Sequence, residues 1–140
     1  MITRDNLVID LVLLAFWLAA MLIVSSIPGD ILFRVQQAPR ISIVRFLISD
    51  PVMHFLEYAL LTFFLIRFRT NFIPGTAVLF YVIAGGIIVA LCDESYQCMV
   101  SNRSFQIGDL LMDLSGIIAA SSVFMSIVNA RDLKANNLRK

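Results

Sequence analysis

The sequence predicts an all-α membrane protein of four transmembrane helices, with an interfacial segment after the first span. Two observations predict it. Of the 140 residues, 59% are hydrophobic and 15% charged, and mean hydropathy is +0.87, whereas soluble domains run at about 45–50% apolar and about 25% charged. The apolar residues are also gathered into four runs near the roughly 20 residues that a hydrocarbon core of about 30 Å requires. A soluble helical domain of this size would need long polar faces, and these runs do not offer them. Residues 1–140 read as a single membrane domain.

The first span covers about residues 7–27, from Leu7 to Ile27, and is closed by Pro28-Gly29. It has the look of a signal peptide but lacks its marks. Its basic start is weak, with Arg4 beside Asp5, and no small-x-small site leads into a soluble domain, so an uncleaved span is expected. Residues 30–49 mix Ile31, Leu32, Phe33, Ile43 and Phe46 with Arg34, Gln36, Gln37, Arg40 and Arg45. That is too polar to span and too apolar for a free loop, so the segment is expected to lie along the interface.

The second span covers about residues 51–68. Pro51 suits an early helical position, Asp50 before it is a candidate N-cap, and Arg67, Arg69 and Asn71 close it. The third covers about residues 74–97, beginning near Pro74, and its mid-span Gly85-Gly86 predicts a close helix contact. The fourth covers about residues 107–128. Residues 129–140, with Arg131, Lys134, Arg139 and Lys140, form a solvated basic tail.

Four spans put both termini on one side. The basic residues on that side are Arg4, Arg67, Arg69 and the four of the tail, against Arg34, Arg40, Arg45 and Arg103 opposite. The positive-inside rule then makes both termini cytoplasmic, in a multi-pass protein of the cell (inner, cytoplasmic) membrane. A net charge of +1 from eleven basic and ten acidic residues gives no footprint for nucleic acid. Cys92 and Cys98 lie six apart on one predicted helix, beyond disulfide reach, and are expected to be small buried hydrophobes.

Span parity brings the ionisable residues to one level. The end of span one (Ser25, Ser26), the start of span two (Asp50, His54, Glu57), the end of span three (Asp93, Glu94, Gln97) and the start of span four (Asp109, Asp113) all fall in the non-cytoplasmic leaflet. They also share azimuth. Asp50, His54, Glu57 and Tyr58 follow an i, i+4, i+7, i+8 stripe; Asp93 and Gln97 are i, i+4, as are Asp109 and Asp113. A charge at membrane depth costs about 2.5–3.5 kcal/mol at a helix centre, so these carboxylates need compensation or a role.

Asp50 and Asp109 suit hydrated helix N-termini, where a carboxylate is favoured. Glu57, Asp93, Glu94 and Asp113 adjoin apolar runs and fit a shared polar site, with His54 and Arg103 as its cations. Glu57, one turn from His54, is expected to orient the imidazole for general-base duty. One histidine without a thiolate pair argues against zinc, and no metal-ligand set is assigned, although the carboxylates and Gln97 would suit an oxygen-loving divalent cation.

Taken in order, Asp50-Pro51-Val52-Met53-His54-Phe55-Leu56-Glu57-Tyr58, then Asp93-Glu94-Ser95-Tyr96-Gln97, then Arg103 through Asp109, Asp113 and Gly116 resemble the VanZ-like family of small membrane proteins. Ser25-Ser26-Ile27-Pro28-Gly29 is similar to that family's Ser-x-x-Pro-Gly ending. Tyr96 and Asp113 depart from the pattern, standing where the family often has histidine and asparagine.

The resemblance implies kinship with a protein known for low-level resistance to the lipoglycopeptide teicoplanin. It implies no particular reaction; the place of the polar cluster in the non-cytoplasmic leaflet leads to the expectation of action there on a lipid-linked or amphiphilic cell-envelope molecule, such as a lipid-linked precursor or a lipoglycopeptide, among membrane lipids. In an intramembrane hydrolase or transferase, His54 or Glu57 would be the base. Asp93, Glu94 and Asp113 would be acid or cation ligands, and Arg103 would hold a phosphate or carboxylate. Gln97, Tyr58, Asp109, Asp50 and Ser26 complete the binding residues. The alternatives are a lipid- or antibiotic-binding protein without chemistry and a small cation- or proton-coupled transporter. Gly86-xxx-Ala90 and Gly116-xxx-Ala120 suit either dimer or intramolecular contacts, leaving oligomeric state open.

Overall fold

A computed structural model describes residues 4–38, 40–73 and 75–137. Pro74, where the third span was expected to begin, and Arg139 and Lys140 of the basic tail lie outside the described residues, as do the side chains of Arg4 and Arg131. Among the described residues every regular element is helical: α1 (Arg4–Ser25), α2 (Gly29–Gln37), α3 (Ser42–Leu47), α4 (Asp50–Arg69), α5 (Val78–Gln97, preceded by a 3-10 turn, Gly75–Ala77) and α6 (Ile107–Asn137). Four of these helices, α1, α4, α5 and α6, are long and apolar enough to cross a membrane.

Local chemistry sets the breaks. Pro28, with φ −55° and ψ 141°, cannot continue α1 and stands as the N-cap of α2. At α4 the N-cap is Ser49 in extended backbone, without a side-chain cap bond. Asp50 is therefore the first helical residue and not the expected cap; its carboxylate accepts Gln36 Nε2 at 2.9 Å, tying α2 to α4. The segment expected at the interface forms α2 and α3, which bury no residue. Beyond the fourth span α6 continues unbroken to Asn137, so its 31 residues reach about 46 Å at about 1.5 Å per residue.

The bundle is polar inside and apolar outside. Among the described residues, ten buried side chains are polar or charged against nine buried hydrophobics. Meanwhile Phe16, Phe80, Ile88, Ile118 and Val123 face outward. Such a surface is stable only in hydrocarbon. Cys92 and Cys98 belong to this outer surface, so their expected burial is corrected: α5 turns Val82, Gly86, Ala90, Glu94 and Gln97 inward at nearly every fourth residue, and the cysteines fall off that stripe.

Helices α4 and α6 form the most extensive pair, made close by Gly116, where a Cβ would collide with the Phe55 carbonyl oxygen and lie 2.9 Å from the Ala59 nitrogen. Gly86 similarly admits Ile117. Both small-residue pairs thus have a glycine serving contacts within the chain. A core of Leu14, Met21, Tyr58, Leu61, Ala90 and Ile117 fills the middle of the bundle, and a smaller one of Ile66, Val78 and Val82 lies beyond it. The far end is tied by Asp10, which accepts Arg67 Nε at 2.6 Å and Asn71 Nδ2 at 2.9 Å, and by Arg69 stacked 4.7 Å over the Tyr81 ring.

Candidate functional site

The opposite end collects the polar residues in two linked groups. In the first, α4 supplies His54, α6 supplies Asp109 and Asp113, and α5 supplies Glu94, all buried. His54 Nδ1 lies 2.9 Å from Asp113 Oδ1, and Nε2 lies 3.8 Å from Asp109 Oδ2. Asp113, fully enclosed, can only accept when ionised, so this contact fixes the Nδ1–H tautomer and leaves Nε2 as the ring's working atom. The expectation that Glu57 orients the ring is corrected. Glu57 sits one turn along the same helix, but the ring reaches across to α6, and Glu57 lines a cavity instead.

Glu94 is fully enclosed, and one oxygen accepts the Gln106 backbone N–H at 3.0 Å, satisfying a donor just ahead of α6. Its other oxygen, Oε1, has no hydrogen-bond partner, and neither has Asp113 Oδ2. One ligand atom each from His54, Glu94 and Asp109 lie within 4.8 Å of one another. The sequence reading assigned no such set, because the three residues come from three helices.

The second group is a relay. Ser25 Oγ donates to Asp93 Oδ1, Gln97 Nε2 donates to Asp93 Oδ2 at 3.0 Å, and Arg103 Nη1 donates to Gln97 Oε1. Arg103 Nε also donates to the Ile27 carbonyl at 3.2 Å. The arginine is thereby joined to Asp93 through an amide and pinned to the turn after α1. Gly29 N–H donates to the Ser101 carbonyl at 3.1 Å, and a Cβ at Gly29 would overlap the Asn102 carbonyl oxygen. The Pro28-Gly29 turn and the α5–α6 loop are thus clasped main chain to main chain, with Asn102 in left-handed backbone (φ 59°).

Between these groups lies a cavity of about 220 Å³. Val24, Ile27, Leu32, Val35, Ile48 and Met53 form its apolar wall, and Asp50, His54, Glu57, Gln97 and Arg103 its polar one. Of the other sequence-selected residues, Asp93, Glu94, Asp109 and Asp113 belong to the two polar groups beside it, and two stand apart from both. Ser26 is on the outer surface, paired with Tyr96 at 2.9 Å, and it is Ser25 that faces inward. Tyr58 is enclosed in the apolar core, with its hydroxyl unpartnered.

Sequence reasoning passed over Asp10, a lone acid in an apolar run, which the fold pairs with Arg67 at the other end of the bundle. Its signal was the cost of a charge in a span. It also passed over Trp17, whose indole N–H donates to the Glu57 backbone carbonyl at 3.1 Å and holds α1 against α4 beside the cavity.

No curated protein and no solved structure matches the chain significantly. A family model described as VanZ/LLP1 matches residues 10–129, a stretch that holds α4 and α5 whole, most of α1 and α6, and every residue of both polar groups. The chain is a multi-pass membrane protein that belongs to the VanZ/LLP1 family.

Proposed function

We propose that this chain takes the headgroup of a lipid-linked or amphiphilic cell-envelope molecule into its polar cavity, at the non-cytoplasmic leaflet of the cell membrane. The observation that carries the reading is the two-natured cavity. Its apolar wall, from α1, α2 and the start of α4, suits a lipid chain, while His54, Glu57 and Arg103 face where a headgroup would lie. Arg103 gives Nε to Ile27 and one Nη1 proton to Gln97. An anionic headgroup would therefore be met by Nη2 and the second Nη1 proton, a fork that suits phosphate.

As an enzyme the chain would act as an intramembrane hydrolase or transferase. His54 Nε2 or Glu57 would take the proton of the attacking group, with Asp113 positioning the imidazole. Asp93, already bound by Ser25 and Gln97, would position Gln97 and through it Arg103. Action on a lipoglycopeptide such as teicoplanin would use the same headgroup site.

The test uses purified chain in nanodiscs with radiolabelled polyprenyl-phosphate and peptidoglycan-precursor lipids. Product formation that falls at least tenfold in Glu57→Gln supports the enzyme. Saturable binding without product, weakened in Arg103→Ala, assigns the same cavity to a binding protein. Neither binding nor product with any of these lipids overturns the reading.

A further inference from the structure

We propose that His54, Glu94 and Asp109 hold a divalent cation, with Asp113 as the positioning residue behind the histidine. A cluster of acids alone would not carry this; four observations do so together. The three donor atoms, from three different helices, lie within 4.8 Å of one another, and all three residues are buried. His54 Nε2 and Asp109 Oδ2 stand 3.8 Å apart, too far for a hydrogen bond. That spacing suits two ligands of one ion, because metal–ligand bonds of about 2.1 Å set donors about 3–4.2 Å apart.

The imidazole is also prepared for the task. Asp113 accepts Nδ1–H at 2.9 Å, the carboxylate–histidine arrangement that fixes the ring of a metal ligand and raises its basicity. The fourth observation is independent of the clustering. Glu94 is 0% exposed, yet its Oε1 has no partner, and neither has Oδ2 of the equally enclosed Asp113. An orphaned carboxylate oxygen inside a membrane protein is costly, and a cation at the shared centre supplies what Glu94 lacks.

The charge balance points the same way. Glu57, Glu94, Asp109 and Asp113 are buried at this end of the bundle, with Asp50 and Asp93 beside them; His54 and Arg103 stand among these acids, whereas Arg34, Arg40 and Arg45 are on the exposed α2–α3 segment. One imidazole with two carboxylates and open positions suits Mn²⁺ better than Ca²⁺, which takes oxygen donors. The inference does not depend on the lipid reading, since it is tested without substrate; with the cation bound, His54 Nε2 is a ligand and Glu57 is the base that the enzyme reading retains.

The experiment is an electron paramagnetic resonance titration of the purified full chain in nanodiscs with Mn²⁺ alone. One Mn²⁺ per chain is expected to leave the free six-line signal, with electron spin-echo modulation from a directly bound nitrogen. Glu94→Gln and Asp109→Asn should each weaken binding at least tenfold and Asp113→Asn by about 10–100-fold, while Asp30→Asn should leave it unchanged. No uptake of Mn²⁺ by the wild-type chain overturns the proposal. So does uptake without nitrogen modulation, a readout that requires no variant to fold. Mn²⁺ bound with this signature to a chain that ignores every lipid would sink the lipid reading and leave the cation site standing.

Discussion

Replacing Gly116 by alanine adds a single methyl group, and the structure says where it would go. The new Cβ would overlap the Phe55 carbonyl oxygen and lie 2.9 Å from the Ala59 nitrogen, both main-chain atoms of α4 that cannot rotate away. Restoring ordinary contact at 3.4 Å needs α4 and α6 to part by about 0.5 Å at Ala59, and by more at Phe55. One turn along the same seam, His54 and Asp113 are joined at 2.9 Å, so an equal separation would stretch that bond to about 3.4 Å, outside the range of about 2.7–3.2 Å for N–H···O. Overpacking of this kind costs about 1–3 kcal/mol. The loss should appear as a lowered midpoint of unfolding in detergent titration or thermal scans of the purified protein. Gly85→Ala is the matched control: nothing lies within 4 Å of a Cβ there, and alanine's helix propensity should leave stability equal or raise it by up to about 1 kcal/mol. A Gly116→Ala protein as stable as wild type, or the two variants behaving alike, would refute the close α4–α6 seam on which the site geometry rests.

Two further expectations follow from the two ends of the bundle. At the Asp10 end, a double-mutant cycle with Asp10→Ala and Arg67→Ala should return a coupling of about 0.5–1.5 kcal/mol, kept modest because the Arg67 side chain is 48% exposed; additive single effects would show the pair to be idle. For topology, Cys92 and Cys98 must first be changed to serine because both are exposed. Asn102→Cys should then react with an impermeant thiol reagent in intact cells, and Thr70→Cys only after lysis; the reverse pattern would invert the orientation.

How much of this was legible in the sequence depended on whether polar residues marked a helix face. On α4, Asp50, His54 and Glu57 label the inner side, and Asp109 and Asp113 do the same on α6, so the site's level and its converging stripes could be read. On α1 nearly every residue is apolar, and lipid accepts all faces alike. Its inward stripe of Asp10, Leu14, Met21 and Ser25 is marked only at its two ends. Partners across helices were the hardest to read. Spacing puts Glu57 beside His54, yet the ring's direction is decided by the close approach of α6, which brings Asp113 from 59 residues away. The choice between Ser25 and Ser26 likewise rests on about 100° of helix rotation, which no single-helix pattern fixes.

A polar interior shared by helices from both ends of the chain also has a history in biosynthesis. The N-terminal helix enters the bilayer carrying Asp10 long before Arg67 has been made. The second span brings His54 and Glu57 before the third delivers Glu94, and Asp113 arrives last. Until that final helix docks, each intermediate holds unmatched polar groups against lipid. The later spans therefore act as the chaperones of the earlier ones, and a chain truncated before residue 107 should be a substrate for membrane quality control rather than a partial protein.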